Sequence, residues 1–204
     1  MAYTVAMKMR ALVVVVSAVF LVPACSRERL GPSPAGVHLR PGSSITYFID
    51  GAASDAVELA VRESFQVWSD ATKFKFSYGG RSPGRIARDG QNRVVLMPWW
   101  PKELSIGDAA WTQAYLDGSG RIAEADILLN TQAFPFTTMR EAKAGNLYVE
   151  EVLVREIGRS LGIGLGEMGK GLPRKAVAGE SFEPGIDPAV MAAYLSLYEA
   201  GEAP

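Results

Sequence analysis

The sequence predicts an α+β domain in which a sheet carries two main helices. A β-rich stretch, Ile45–Ile49, is followed by a segment that begins after Ser54 and whose apolar residues recur with the period of a helix. Further along, the turn sequence Asp117–Gly120 separates two apolar arms, which is typical of a β-hairpin. A chain of 204 residues, 48% of them hydrophobic and 21% charged, is long enough for one such domain with its own core.

The first residues have the pattern of an export signal. Lys8 and Arg10 precede the apolar run Ala11–Val22, which is too short to span a bilayer comfortably. Small residues then lead into Cys25, the single cysteine of the chain, and this resembles the lipobox of bacterial lipoproteins. The resemblance implies that residues 1–24 are removed, that Cys25 carries a lipid, and that the protein is exported to the outer membrane or the cell surface. An ordinary signal peptide with an unrelated cysteine is the alternative.

Residues 25–44 are rich in proline and glycine and are predicted to be a tether, so that the folded domain covers residues 45–204. The tether contains His38, the only histidine of the chain, which we interpret as a surface residue. Removing the signal subtracts Lys8 and Arg10 from the 21 basic residues and leaves 19 against 22 acidic ones, a net charge of −3. Without a basic stripe, nucleic acid is not an expected partner.

The first half of the domain alternates strands and a helix. Ser54 is a suitable N-cap for a helix that runs to about Ala71. Phe74–Tyr78 alternates as a strand does, and Gly79-Gly80 is predicted to end it. Arg93–Met97 is continuously apolar at its centre, which is typical of a strand that is buried on both faces.

The next segment contains two features of interest. Trp99 and Trp100 either cap one end of the core or line a surface for a substrate or partner. The arms Ala109–Leu116 and Arg121–Leu129 then form the predicted hairpin.

The central helix of the chain is predicted behind Asn146, a plausible cap. Its apolar stripe recurs every four residues, as a helix packed on a core requires (Val149, Leu153, Ile157 and Leu161). Glu151 lies four residues before Arg155, the favoured order for an ion pair along a helix, and Glu156 and Arg159 are spaced for a second pair. The pattern thus predicts a charged helix face that needs no metal.

This stretch, V-E-E-V-L-V-R-E-I-G-R-S-L-G-I-G-L-G over residues 149–166, resembles the active-site helix of the metzincin metalloproteases, and of the matrixins most closely. The family pattern is H-E-x-x-H-x-x-G-x-x-H. Two ligands four residues apart lie on one helix face and reach one zinc ion, and the adjacent glutamate acts on the metal-bound water. Glu156 matches that general base, and Gly162 matches the glycine at which the chain leaves the helix.

The three zinc-ligand positions of the pattern hold Arg155, Arg159 and Leu165. A guanidinium group has donors and no acceptor, and a leucine side chain has neither, so none of these residues binds zinc. We therefore expect no cofactor, with zinc relevant only if the family activity were retained. A further possibility is that Arg155 and Arg159 bind an anion, such as a carboxylate, in the former cleft.

Two more segments carry the resemblance. Ala125, Asp126 and Ile127 are similar to the matrixin strand that reads A-D-I-x-L-N, which implies an edge strand that holds an extended peptide through main-chain hydrogen bonds. Met191, in Asp187-Pro188-Ala189-Val190-Met191, is similar to the Met-turn methionine beneath the zinc of metzincins. Ala192–Ala200 leaves room for at most two further helical turns, so we expect a reduced C-terminal subdomain. The resemblance as a whole implies a matrixin-like zincin fold, in which a twisted mixed sheet has an antiparallel edge strand.

Three functions are compatible with these observations. The first is a surface-tethered, matrixin-like pseudoprotease that binds an extended peptide or an envelope protein and anchors to the membrane through its lipid. The second is an altered copy within a family of active zinc metalloendopeptidases, in which Glu156 would be the general base. The third is a structural envelope lipoprotein that uses the fold as a spacer. The missing ligands argue against catalysis, and the sequence specifies no oligomeric state.

Overall fold

The computed structural model describes residues 39–40, 42–164, 173–177 and 183–199. Within these ranges the chain forms a five-stranded sheet, a two-stranded sheet and three helices, which agrees with the predicted α+β class. The strands are β1 Ser44–Asp50, β2 Lys75–Ser82, β3 Asn92–Leu96, β4 Ala110–Leu116, β5 Ile122–Leu129, β6 Phe136–Thr137 and β7 Leu147–Tyr148, and the helices are α1 Asp55–Ala71, α2 Val149–Ser160 and α3 Pro188–Tyr198.

Several predictions concern residues outside these ranges. They are the signal peptide, the lipid attachment at Cys25, most of the tether with His38, and the third ligand position, Leu165. Among the residues that the structure does describe, no helix has both the length and the apolar character that crossing a membrane requires.

The five-stranded sheet has the order β2-β1-β3-β5-β4. Its first four strands are parallel, and β4 pairs antiparallel with β5 through the predicted hairpin. The segment from β1 through α1 to β2 is a crossover connection, which places the helix on one face of the sheet. An antiparallel strand therefore lies at one edge of the sheet, as predicted, but that strand is β4.

Two strand predictions were wrong. Ala125–Ile127 belongs to β5, which lies between β3 and β4 and is not an edge strand. The second strand does not end at Gly79-Gly80 but continues to Ser82. A Cβ on Gly79 would lie 2.6 Å from the Phe48 ring, so the missing side chain allows β2 to pass close to β1.

Helix α1 begins and ends as predicted. The Ser54 hydroxyl accepts a hydrogen bond from the Val57 N–H at 3.3 Å and caps the helix. The buried face of α1 contacts both the sheet and α2, and the Trp68 indole donates to the Val154 carbonyl of α2 at 2.8 Å. Because an indole N–H needs a partner when it is buried, this bond fixes α1 against α2.

The opposite face of the sheet is covered by the segments 83–91 and 97–108. Trp100 packs with Leu104 and Leu128 in a small apolar cluster, whereas the neighbouring Trp99 is 82% exposed. Trp100 therefore belongs to a core cluster, as one of the two interpretations predicts, and a binding role for Trp99 stays a prediction.

Buried carboxylates hold the segment 83–91 in place. Asp126, which is fully buried, accepts main-chain hydrogen bonds from Ala87 and Arg93, each at 3.1 Å. Glu124 accepts one from Asp89 at 3.2 Å, and the Asp89 carboxylate forms a two-pronged ion pair with Arg93. Burial raises the pKa of Asp126 to about 7. Asp126 therefore has a structural role inside the sheet rather than a role at a peptide-binding edge.

The C-terminal helix is longer than the predicted two turns. It starts at Pro188, where the Asp187 carboxylate caps it by accepting from the Ala189 N–H at 2.8 Å. Its eleven residues include Met191, which therefore lies in the helix and not in a turn before it. The prediction counted only the residues after Met191 and missed the cap that precedes it.

Helix α3 is fixed to the rest of the domain through two tyrosines. The Tyr198 hydroxyl accepts from the Leu39 N–H at 3.0 Å and donates to the Leu161 carbonyl at the end of α2. The Tyr194 hydroxyl accepts from the Lys73 N–H at 3.1 Å. Tyr198 thus connects Leu39, just before the first strand, with Leu161 at the end of α2.

Candidate functional site

The candidate site is the part of α2 that carries the metzincin-like spacing. This helix is buried on most of its circumference, because it packs against α1 on one side and against β4 and β5 on the other. Arg155 and Arg159 lie on the remaining, half-buried strip. The helix starts at Val149 rather than directly behind Asn146, because the two residues before it form the short strand β7.

Glu156 is directed into the protein. The residue is only 3% exposed, although its place in the sequence suggested a charged surface. One carboxylate oxygen, Oε2, accepts from the Thr112 hydroxyl of β4 at 2.7 Å. The other, Oε1, accepts from the Arg159 guanidinium. Both oxygens are therefore used by groups of the protein itself.

The protonation of Glu156 reflects opposing effects. Burial raises the pKa of this carboxyl group, because a charge is poorly solvated inside the protein. The positive charge of Arg159 and the hydrogen bond from Thr112 lower it, and the negative charge of Asp108 raises it. The positive charge of Arg155 lowers it by a smaller amount. The direction of the sum is upward, so the carboxyl group holds its proton to a higher pH than a solvated glutamate does.

Arg155 and Arg159, at the first two ligand positions of the metzincin pattern, have different surroundings. Arg159, whose side chain is 23% exposed, pairs with the buried Glu156. Arg155, whose side chain is 31% exposed, pairs with Glu151 at 3.2 Å, and Glu151 lies one turn earlier on the same helix. Both pairs were predicted from the spacing and both are present. Because each guanidinium has a carboxylate partner, the structure gives little support to an anion pocket formed by Arg155 and Arg159.

The helix ends at the predicted glycine. Gly162 has a φ of 87°, and its N–H donates to the Arg159 carbonyl at 2.9 Å while the Ile163 N–H donates to the Gly158 carbonyl at 3.1 Å. This is the arrangement by which a left-handed residue ends a helix. The chain therefore turns where a metzincin chain would turn towards its third ligand, and Leu165, at that position, lies outside the described residues.

Met191 contacts the main core from α3 and is half-buried there. The link between its helix and the candidate site is the Tyr198 hydroxyl, which donates to the Leu161 carbonyl directly after α2. Sequence reasoning missed this link, since a tyrosine near the chain end carries no signal of its partner.

Strand β4, one of the two edge strands of the large sheet, lies next to Glu156. The Asn130 N–H donates to the Ala109 carbonyl at 2.9 Å, so the main-chain groups of Ala109 face β5. Successive residues of a strand point these groups to opposite sides. The main-chain groups of Ala110, Thr112 and Ala114 therefore face outward. The Thr112 hydroxyl also contacts Glu156, which connects this edge with α2. Thr112 was missed in the sequence because a threonine in a strand has no feature that marks its partner.

The residues at the ligand positions do not fit a zinc ion. Arginine at positions 155 and 159 provides donors only, and Glu156 is engaged by Thr112 and Arg159. Elsewhere in the described part of the chain, no three His, Cys, Asp or Glu side chains lie close enough together to hold a metal ion.

Comparison with protein-family models finds no family that matches this chain, and comparison with curated proteins finds no similar sequence.

Proposed function

We propose that this protein is a matrixin-like pseudoprotease, tethered to the cell envelope through Cys25, that binds an extended peptide without hydrolysing it. The observation that carries the proposal is the state of Glu156. A general base must contact the water that it deprotonates. Here both oxygens of Glu156 accept hydrogen bonds from Thr112 and Arg159 instead.

The arginine at position 159 explains why the helix keeps a buried glutamate after losing its metal chemistry. A buried carboxylate without a partner is costly, and a positive charge from the next turn offsets that cost. Replacing the second ligand histidine by Arg159 therefore converts a catalytic position into a structural ion pair. The mixed sheet with its antiparallel edge, the helix break at Gly162 and the placement of Glu156 support the matrixin-like assignment.

Peptide binding is proposed at the outer edge of β4. This strand replaces Ala125–Ile127 as the candidate, because its outward main-chain groups have no neighbouring strand among the described residues. An extended peptide that adds to such an edge forms main-chain hydrogen bonds along it. The edge lies beside the helix that would carry the catalytic groups in an active relative, since Thr112 contacts Glu156.

One observation favours the structural alternative. The Gln113 side-chain amide donates to the outward carbonyl of Ala114 at 3.2 Å and so covers part of the β4 edge. A protein that serves only as an envelope spacer would gain from such a cover, because a bare edge promotes association. A peptide ligand would have to displace this amide.

Metal analysis tests the loss of zinc chemistry. Residues 26–204 are purified, dialysed against zinc and then against buffer, and their metal content is measured by mass spectrometry. We expect no retained zinc. Near-stoichiometric zinc in the unaltered protein would contradict the pseudoprotease assignment.

Restoring the ligands tests the assignment of the motif itself. The variant Arg155→His, Arg159→His, Leu165→His should bind about one zinc ion per chain, because the i, i+4 spacing on α2 and the turn at Gly162 are present. The matched control carries Arg155→His and Arg140→His, which adds two histidines without the spacing. A folded triple variant that stays free of metal would show that the alignment with the metzincin pattern is incorrect.

Peptide binding at the edge is tested with amidated, acetylated heptapeptides, which carry no terminal charge. Ala114→Pro removes one outward N–H from β4 and no hydrogen bond to β5. We expect this variant to lose peptide binding while keeping its melting temperature. Equal binding by both proteins would place the peptide elsewhere, and an absence of binding by the unaltered protein would favour the structural alternative.

A further inference from the structure

The large sheet contains a gap beside the start of β3. In the paired strands, Asn92 lies alongside Tyr47 of β1, and Arg93 lies alongside Asp126 of β5. Strand β1 begins three residues before Tyr47, at Ser44, and β5 begins four residues before Asp126, at Ile122. The first residues of β1 and β5 therefore face each other, and no strand formed by the described residues lies between them.

The gap has the width of one strand. Neighbouring strands lie about 4.8 Å apart, so two strands that flank a third are about 10 Å apart. A groove of about 420 Å³ occupies this place, and a volume of this size is in the range of small-ligand sites, roughly 300–1,000 Å³. Its walls come from β1, the start of β5, the hairpin turn and the entering chain (Leu39, Arg40, Ser43, Ser44, Ile45, Thr46, Gly90, Asn92, Asp117, Arg121, Ile122 and Ala123).

The inner end of the groove is closed by a side chain that acts as a peptide group. The Asn92 amide donates to the Thr46 carbonyl of β1 at 3.0 Å, and its oxygen accepts from the Ala125 N–H of β5 at 2.9 Å. One carboxamide thus bridges both flanking strands, as one more peptide unit of β3 would. A segment that follows the line of β3 would continue from this point.

Main-chain groups of β1 are available to such a segment. The Ser43 carbonyl accepts from Lys75 of β2, whereas the Thr46 carbonyl faces Asn92. Since successive residues of a strand point their main-chain groups to opposite sides, the N–H and carbonyl of Ser44 face the gap. The pairing of β5 with β4 is irregular at this end of the gap, since Tyr115 pairs with Glu124 and Leu116 with Ile122. Such a bulge bends the strand.

The groove carries a net positive charge in a protein whose net charge is negative. Arg40 and Arg121 line it, and both are exposed. The one carboxylate in the lining, Asp117, accepts hydrogen bonds from Ser119 and from the Arg121 N–H within its own turn. These bonds, and to a smaller extent the positive charge of Arg121, lower its pKa. Two guanidinium groups at the mouth of a polar groove are suited to binding a carboxylate.

We propose that this gap binds an extended peptide that ends in a carboxylate, with the peptide main chain in line with β3 and its carboxylate at Arg40 and Arg121. The combination of a strand-wide gap and two exposed arginines favours a peptide over a free anion, because a free anion would leave the strand edges unused. The site is separate from the β4 edge, on the other side of β5, and does not depend on the proposed pseudoprotease function.

The test uses the mature chain and a fluorescent hexapeptide of alternating threonine and valine that ends in glutamate with a free carboxyl group. Binding is measured by fluorescence anisotropy. The same peptide ending in glutamine amide is the charge control. We expect the acidic peptide to bind at least about tenfold more tightly than its amide, since hydrogen bonds between charged groups contribute roughly ten- to a hundredfold in affinity.

Two variants locate the binding. Arg121→Gln should weaken binding of the acidic peptide at least about tenfold, and Ser44→Pro, which removes an N–H that faces the gap, should weaken both peptides. The matched control is Arg140→Gln, since Arg140 is an exposed arginine that pairs with Glu63 and does not line the groove. In amide hydrogen exchange, the Ser44 N–H should gain protection when the peptide is added.

The following results would overturn the proposal. Equal binding of the acidic and amidated peptides would exclude carboxylate recognition, and an equal loss in Arg121→Gln and Arg140→Gln would indicate non-specific charge attraction. No binding of the hexapeptide, together with binding of inorganic phosphate that Arg121→Gln abolishes, would show an anion site and not a peptide site. An effect of Ala114→Pro on this peptide would place it at the β4 edge instead.

Discussion

The strongest prediction concerns Arg155 and Arg159, at the first two ligand positions of the metzincin pattern, because the structure gives them unequal roles. Arg159→Ala removes the positive partner of Glu156, a carboxylate of which only 3% is exposed. Arg155→Ala removes a pair with Glu151 in which both side chains are partly solvated. The same substitution, four residues apart on one helix, should therefore have very different consequences.

The magnitude follows from burial. Removing one partner of a buried ion pair costs roughly 3–5 kcal/mol. The Arg159 side chain is 23% exposed, so water screens part of its interaction, and we expect a loss of about 2–3 kcal/mol in the free energy of unfolding. An i, i+4 pair in solvent contributes about 0.3–0.5 kcal/mol. Because the side chains of Arg155 and Glu151 are only 31% and 15% exposed, we expect Arg155→Ala to cost about 0.5–1 kcal/mol. For a domain of this size the first loss lowers the melting temperature by about 4–12 °C.

The assay is urea unfolding of both variants at neutral pH, each also made in a Glu156→Gln background. Because glutamine carries no charge, Arg159→Ala should cost less than about 1 kcal/mol there. The cost should also fall at low pH, where Glu156 is protonated and no longer needs a positive partner. Equal losses for Arg155→Ala and Arg159→Ala, or an unchanged loss in the Glu156→Gln background, would refute the structural role given to Arg159.

Three further predictions concern the rest of the domain. The pKa of Asp126 is raised from an ordinary 3.8 to about 7, so the folded chain holds a proton that the unfolded chain releases. The free energy of unfolding should therefore fall as the pH rises from about 4 to about 7, by up to roughly 4 kcal/mol. Unfolding curves of Asp126→Asn should show a flatter pH dependence. Tyr198→Phe removes hydrogen bonds with Leu39 and Leu161, and calorimetry should show a loss of about 2 kcal/mol. Gly162→Ala forces a side chain into a left-handed conformation (φ 87°) and should cost about 1–2 kcal/mol in the same measurement.

Each of these predictions has a control in the chain. Tyr194→Phe removes a single hydrogen bond and should cost about half as much as Tyr198→Phe. Gly118→Ala adds a Cβ with no atom within 4 Å and should change stability little. A stability that rises between pH 4 and pH 7 in the unaltered protein, and not in Asp126→Asn, would contradict the direction given for Asp126.

Local features of the fold were predictable from the sequence because they depend on residues close together in the chain. The N-cap at Ser54, the hairpin around Asp117–Gly120, the helix end at Gly162 and the two ion pairs along α2 are all of this kind. Each involves residues within five positions of one another, where backbone geometry alone fixes the contact. That Arg155 and Arg159 provide no zinc ligand also follows from the sequence, since no arrangement in space gives arginine an acceptor atom.

The identity of a strand's neighbours was decided by the tertiary structure. Alternation along β5 predicts which side chains share a face, but the position of β5 between β3 and β4 depends on the crossover connections and on how α1 and α2 pack on the sheet. Three other features likewise depend on segments that are distant in the chain. They are the burial of Glu156 against Thr112, the hydrogen bond from Tyr198 to Leu161, and the gap before Asn92. The sequence by itself determined that the ligand positions of the metzincin pattern hold no zinc-binding group. Packing decided what Glu156 contacts, because burial and long-range partners arise only when the chain closes on its core.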